Sequence, residues 1–242
     1  MTSTDSVDVS EGPRHADEKR SARVVRVVSR TLGEVLLTAG VVVLLFVAYQ
    51  LVWTNVEADR AAQAHTSDLV QRWQNDPTKQ EFDLPLASGE PFALMYIPRL
   101  GARFETPVLE GVRLDYLAQG VGHYPGTALP GEVGNFAVAG HRATNGEPFA
   151  ELDRVQVGDQ VVVETATTWY TYTVYQTQIV PPTQVDVILP VPGQPHATPH
   201  KKLLTLTTCN PRWASYERLV VHAELTSQQP KSMGQPDALA GG

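Results

Sequence analysis

Between Glu34 and Glu57 the chain carries no charge at all. The centre of this run reads GVVVLLFVAY, and Val35–Trp53 supplies 19 residues. A helix needs about 20 apolar residues to cross a hydrocarbon core ~30 Å thick. Trp53 stands where an interfacial aromatic belongs. A helix resting on a globular core would show a polar face, and this run has none. A cleaved signal peptide has a shorter apolar stretch, ~7–15 residues, ending in small residues at the cleavage site. No A-x-A site follows directly here. The run therefore reads as an uncleaved single-pass anchor over 35–53. Lys19, Arg20, Arg23, Arg26 and Arg30 precede it with no acid among them. The excess of positive charge sets residues 1–34 in the cytoplasm and everything after Trp53 outside.

The outer part, residues 54–242, holds 13 basic and 20 acidic residues within a chain of net charge -7. That balance argues against a nucleic-acid binder. Residues 54–80 are polar, with Ala61, Ala62, Leu69, Val70 and Trp73 at helical spacing. They predict a juxtamembrane helix ending before Pro77, and a linker then completes the segment 54–90. From Ala93 the texture changes to short runs rich in Val, Thr, Tyr and Leu: ALMYIP, RFETPVL, NFAVAGH, QVVVET, WYTYTVYQTQIV, KLLTLTTC and RLVVHAEL. Turn signals such as Pro125-Gly126, Pro130-Gly131 and Gly158-Asp159 separate them. Short helical pieces are expected only near Leu114–Gln119 and Pro148–Leu152. Seven or eight short strands without regular helices imply a closed, or nearly closed, antiparallel β-barrel over 91–226. The polar tail 227–242 reads as disordered.

There is one cysteine, Cys209, so no intramolecular disulfide and no Cys-rich metal site can form. It follows the apolar strand LLTLTT and precedes Asn210-Pro211, where strand gives way to loop. A lone cysteine is most often a small core hydrophobe. A strand end, however, is where reactive groups reach solvent, and an exported protein with an unpaired thiol needs a reason for it. A free thiol has a pKa of about 8.5, so a working cysteine needs a basic or positive neighbour. Among seven histidines, His141 stands out. It closes the apolar run NFAVAG at a strand end. His222 lies on the last strand, where a structural role fits best. His196 and His200 share a Pro-rich loop with no third metal ligand apparent. Arg218 opens the strand that follows Cys209 across a short loop, so the two can sit side by side. A guanidinium stays charged and suits an oxyanion. Considered alone, Arg218 reads first as a surface arginine paired with Glu217 or Asp153.

Together, a strand ending Gly140-His141, the later TLTTC and an arginine nine residues on resemble the sortases, cysteine transpeptidases of Gram-positive cell surfaces. The resemblance covers residues 90–226 and the N-terminal anchor. LTTCNPRWASYERLVVHAEL and HYPGTALPGEVGNFAVAGHR look most like class E, the housekeeping sortases of actinobacteria. It implies a closed eight-stranded sortase-type barrel with a few short helices. Cys209 would then be the nucleophile, His141 the general acid, and Arg218 the group that positions substrate and meets the oxyanion. The implied partners are secreted proteins bearing a C-terminal LAxTG-type sorting signal and a peptidoglycan precursor amine. Neither metal nor organic cofactor is implied.

In that class an aromatic residue before the histidine strand is linked to the preference for LAxTG over LPxTG. Tyr124 holds the matching position, and packing on the barrel end is the equal alternative. Thr208 could orient substrate or thiol through its hydroxyl. The long Ile179–Lys202 connection corresponds to a loop that walls the substrate groove. Glu105 and Glu110 offer no legible calcium ligand set. A papain-type peptidase would place its cysteine before its histidine, and an L,D-transpeptidase would carry a Ser-x-Gly-Cys motif; neither pattern is present. An anchored β-barrel scaffold with an inert thiol is the non-catalytic alternative.

Overall fold

The computed structural model describes residues 14–75, 82, 85–143 and 145–240. The chain divides into two compact units, residues 1–50 and 51–242. The first consists of helix α1, Arg14–Ala48. Within it Arg23–Ala48, 26 residues of mean hydropathy 2.3, is long and apolar enough to cross a membrane. The helix begins well before the uncharged run, because nothing between Arg14 and Glu34 breaks a helix.

A π-helical turn, Tyr49–Trp53, opens directly into α2, Thr54–Asn75. This helix ends just short of Pro77, as expected. It is more than a stalk, since Ala58 and Leu69 are buried. His65 Nε2 meets Gln119 Oε1 at 2.6 Å, and Arg72 donates to the Pro91 carbonyl. Much of the linker (76–81, 83, 84) lies outside the described residues.

Eight strands follow: β1 Pro91–Tyr96, β2 Glu105–Glu110, β3 Val121–His123, β4 Gly134–Ala139, β5 Gln160–Glu164, β6 Thr168–Val180, β7 Lys202–Asn210 and β8 Glu217–Pro230. They close into a barrel in the order β1-β2-β3-β4-β7-β8-β6-β5. The barrel is mixed, not antiparallel as the strand pattern suggested: β2 pairs with β3, and β4 with β7, in parallel. Strand chemistry does not report direction. The first parallel pair is made by a crossover carrying the one-turn helix α3, Leu114–Leu117. The second joins strands far apart in the chain.

Alternation decides which residues fill the barrel. Phe136 and Val138 of β4, Leu204 and Leu206 of β7, and Leu219, Val221 and Ala223 of β8 point inward, with Phe149, Leu152 and Tyr172 among the largest buried groups. The residues between them face outward. The β6–β7 connection folds over part of that outer face, where Val180, Val187 and Val220 form a second apolar cluster.

The expected disordered tail is ordered through most of its length. Residues 227–230 extend β8 and pair with the start of β6, Pro230 opposite Thr168. Backbone pairing is indifferent to the polar side chains that suggested disorder. Lys231 then pairs with Glu164 and lies over the Trp73 ring of α2. A last helical turn, α4, spans Asp237–Ala240.

Candidate active site

β7 carries the centre of the site. Its partner on one side is β8, in a register that sets Cys209 directly opposite Arg218. On the other side runs β4, parallel, with Ala139 opposite Thr207. The register continues past the end of β4. Gly140 N–H donates to the Thr207 carbonyl at 3.1 Å. The Thr208 hydroxyl donates to the Gly140 carbonyl at 2.8 Å. One residue further, His141 comes level with Cys209. Cys209 and Arg218 are thus paired on the outward face of β7 and β8, and His141, just past the end of β4, falls at the level of Cys209 by extension of the β4–β7 register. All three are half-buried.

Gly140 permits this arrangement. A Cβ there would lie 2.6 Å from the Phe149 ring, which packs over the strand end. The chain returns to the same place when Phe149 N–H donates to the His141 carbonyl. Among the described residues, His141 Nε2 has no hydrogen-bond partner, the thiol included, and it is shielded from water. Burial pulls the His141 imidazole below its ordinary pKa, partly offset by a backbone hydrogen bond at Leu114. The resting ring is therefore neutral at pH 7 and has a free nitrogen. Buried nitrogens without partners are rare enough to need a chemical explanation.

Neither carboxylate suggested as a surface partner binds the Arg218 side chain. Asp153 pairs with Arg142, and Glu217 accepts from Asn210 Nδ2. Arg218 Nη1 donates to the carbonyls of Ser215 and Glu217, both 2.8 Å. These neutral acceptors hold the guanidinium at the site without cancelling its charge.

Arg142, which the sequence reading passed over, is 5% exposed. Its Nη1 bonds the Cys209 carbonyl and Asn210 Oδ1, and its Nη2 pairs with Asp153 at 2.9 Å. It ties the end of β7 to the strand end that bears His141. A charged residue directly after an apolar strand was the available signal.

Tyr124 reaches the floor of the same face. Its hydroxyl lies 3.0 Å from Thr207 Oγ1, and Thr207 alternates onto the side that Cys209 presents. Thr207 was also missed, although its two-residue spacing from the cysteine marks it. Behind Tyr124, His123 is held by Glu110 at 2.6 Å and by Thr127 at 2.8 Å, and Thr127 in turn donates to the Tyr124 carbonyl. Thr208 alternates to the opposite face from Cys209, is 3% exposed, and spends its hydroxyl on Gly140.

Among the described residues no group of three or more His, Cys, Asp or Glu is arranged to hold a metal ion.

The sortase domain model matches residues 95–226. The chain belongs to the sortase family of cysteine transpeptidases. It is 38% identical to sortase SrtE1 of Streptomyces coelicolor over 95% of its own length and 66% of that protein's. It is 35% identical to SrtE2 of the same organism over 86% of its length and 85% of that protein's. The solved structure of sortase E from Streptomyces avermitilis is 47% identical, with a TM-score of 0.58, and covers 63% of this chain and 99% of that one. The sortase is thus class E-like, and the residues matched by the domain model include Cys209 and Arg218.

Proposed function

We propose that this sortase cleaves a C-terminal LAxTG-type sorting signal between Thr and Gly and joins the released protein to a peptidoglycan amine. The observation that carries this reading is the pairing of Cys209 with Arg218 beside the strand end that bears His141, with a neutral imidazole, a half-buried thiol and a guanidinium without a carboxylate partner among the described residues. The thiol proton passes to His141 as sulfur attacks the threonine carbonyl carbon. The oxyanion that forms faces Arg218, whose fixed fork can donate two directed hydrogen bonds. On collapse the C–N bond breaks, and His141 returns the proton to the departing glycine amine. A second amine then attacks the thioester, gives its proton to His141, and the proton goes back to sulfur. Two acyl transfers replace one difficult amide exchange. No step calls for a metal or organic cofactor.

Tyr124 contacts the signal near its second residue in this reading. Thr208 acts indirectly, by fixing the carbonyl before His141. α1 anchors the enzyme in the cell membrane with its N-terminus cytoplasmic, which keeps the barrel near secreted substrates as they emerge. The class names and organisms of the relatives support the substrate class.

Residues 54–242 incubated with LAxTG and LPxTG peptides, with and without an added amine, test the reading by product mass. Transfer to the amine is expected with LAxTG, and none with Cys209→Ala. Turnover by Cys209→Ala above the no-enzyme background would refute the thioacyl route. A preference for LPxTG would reassign the class.

A further inference from the structure

The loop after His141 has an unusual backbone. Asn145, Gly146 and Glu147 adopt φ of 56°, 82° and 32°, three consecutive residues in the left-handed region. For Asn and Glu this costs roughly 1–3 kcal/mol each, and such a turn persists only where its surroundings over-determine it. Those surroundings include α2. Asn55, in its first turn, accepts from Gly146 N–H at 3.2 Å and donates through Nδ2 to Glu147 Oε1 at 3.3 Å. A Cβ on Gly146 would lie 3.0 Å from the Ala58 methyl, so the loop sits flush on the helix.

The second oxygen of Glu147 goes elsewhere. Oε2 accepts from Arg212 Nη2 at 3.0 Å. Arg212 stands three residues after Cys209, in the β7–β8 connection. One carboxylate therefore joins three parts of the molecule: the juxtamembrane helix, the loop that leaves His141, and the loop that leaves Cys209. The charge of Glu147 is also sensed on α2, where Asp59 is raised above its usual carboxylate range, first by burial and then by Glu147.

We infer that Asn55, Glu147 and Arg212 form a positioning relay through which the juxtamembrane helix sets the His141 and Cys209 loops against each other. None of the three touches the reacting atoms. Their effect is on the alignment of imidazole and thiol, and misplacement on the ångström scale can cost about 10²-fold in rate. The membrane-proximal helix is then part of the catalytic unit, and its docking adjusts turnover. The inference rests on the reading of Cys209 and His141 as the reacting pair.

The test uses the full chain in detergent micelles. Asn55→Ala, Arg212→Ala and the double variant are compared by single-turnover acylation with an LAxTG peptide, by thermal melting, and by the rate of Cys209 alkylation with iodoacetamide across pH. Each single variant is expected to slow acylation about tenfold, the size of a hydrogen bond to a charged group, with KM nearly unchanged. Because both act through Glu147, the double variant should be little slower than the slower single one. His65→Ala serves as the control. It breaks another contact of the same helix, His65 to Gln119, outside the Asn55–Glu147–Arg212 hydrogen bonds, and should lower the melting temperature without slowing acylation well below that temperature. Alkylation should change about threefold in the relay variants and not in the control, a shift typical of positional coupling. Since alkylation needs no sorting signal, it tests the relay even where the peptide is wrong. Unchanged acylation and alkylation in a folded Asn55→Ala would overturn the inference. So would equal slowing by His65→Ala at matched loss of stability.

Discussion

Two histidines flank β7 on the outward face of the barrel, His222 on β8 and His141 just past the end of β4, and their surroundings are opposite. His222 faces Thr205, and its network closes completely. Asn135 Nδ2 donates to the Val187 and Leu189 carbonyls, which turns its Oδ1 toward Thr205. The Thr205 hydroxyl donates to that oxygen at 2.7 Å and so accepts from His222 Nδ1–H at 2.9 Å. His222 Nε2 is left to accept from Gln178 at 3.0 Å. Every donor has an acceptor, the tautomer is fixed, and the β6–β7 connection is pinned to the barrel. His141 has a buried nitrogen with no partner among the described residues. Both rings are held neutral by burial. One is saturated and so structural, while the other keeps the free valence that proton transfer needs.

The comparison breaks most sharply at Arg218, the charged member of the reactive group. Removing one oxyanion donor typically costs about 10²–10³ in turnover. Arg218→Ala should lose at least that in single-turnover acylation. Arg218→Lys should recover only a minor part, because an ammonium keeps the charge but loses the planar fork. Melting should hardly change, since among the described residues the guanidinium bonds only the nearby carbonyls of Ser215 and Glu217. Acylation by Arg218→Lys near the wild-type rate would show that charge alone suffices. If Arg218→Ala also reacted normally, the site would need another stabiliser.

The saturated group should respond to acid instead. Burial lowers the His222 pKa from 6.5 to about 4 in the folded protein. Between those values the unfolded chain binds a proton that the folded chain refuses. Stability therefore falls as pH drops from 6.5 toward 4, by about 3 kcal/mol in total, with no further change below. Denaturant unfolding of wild type and His222→Gln across that window isolates the effect from other titrating groups. The variant should be less stable at pH 7 and have a flatter acid limb. Parallel pH curves for the two proteins would mean that His222 protonates without cost.

The two groups were not equally legible in the sequence. Cys209, His141 and Arg218 announce themselves locally, as the ends of apolar strands and the start of the next. Two things needed through-space information. Pairing direction was one, because a strand reads the same in parallel or antiparallel company, and the β4–β7 pair is what sets His141 beside Cys209. Side chains that bridge distant loops were the other: Asn55 and Glu147 are 92 residues apart, and Arg142 looks like any charge beside a turn until its burial is seen. The end of β8 was missed because residues 227–230 pair by backbone alone.

The smallest expected effect tests where the reactive face ends. Thr207 donates its own proton to the Val138 carbonyl at 3.2 Å, so the Tyr124 hydroxyl must be the donor in their contact. That bond pins the phenol ring on the outward face, one alternation from Cys209, where the second residue of the signal passes in the proposed reading. Tyr124→Phe removes only the hydroxyl. A neutral hydrogen bond is worth about 0.5–1.5 kcal/mol net, so the preference for LAxTG over LPxTG should weaken by roughly two- to tenfold. Tyr124→Ala, which also removes the ring, should weaken it further. Ratios of kcat/KM for the two peptides, set beside melting curves, measure this. If the ring shapes the groove, the ratio falls while the melting temperature holds. Equal losses on both peptides, accompanied by a lower melting temperature, would place Tyr124 with the saturated contacts that merely hold the barrel end together.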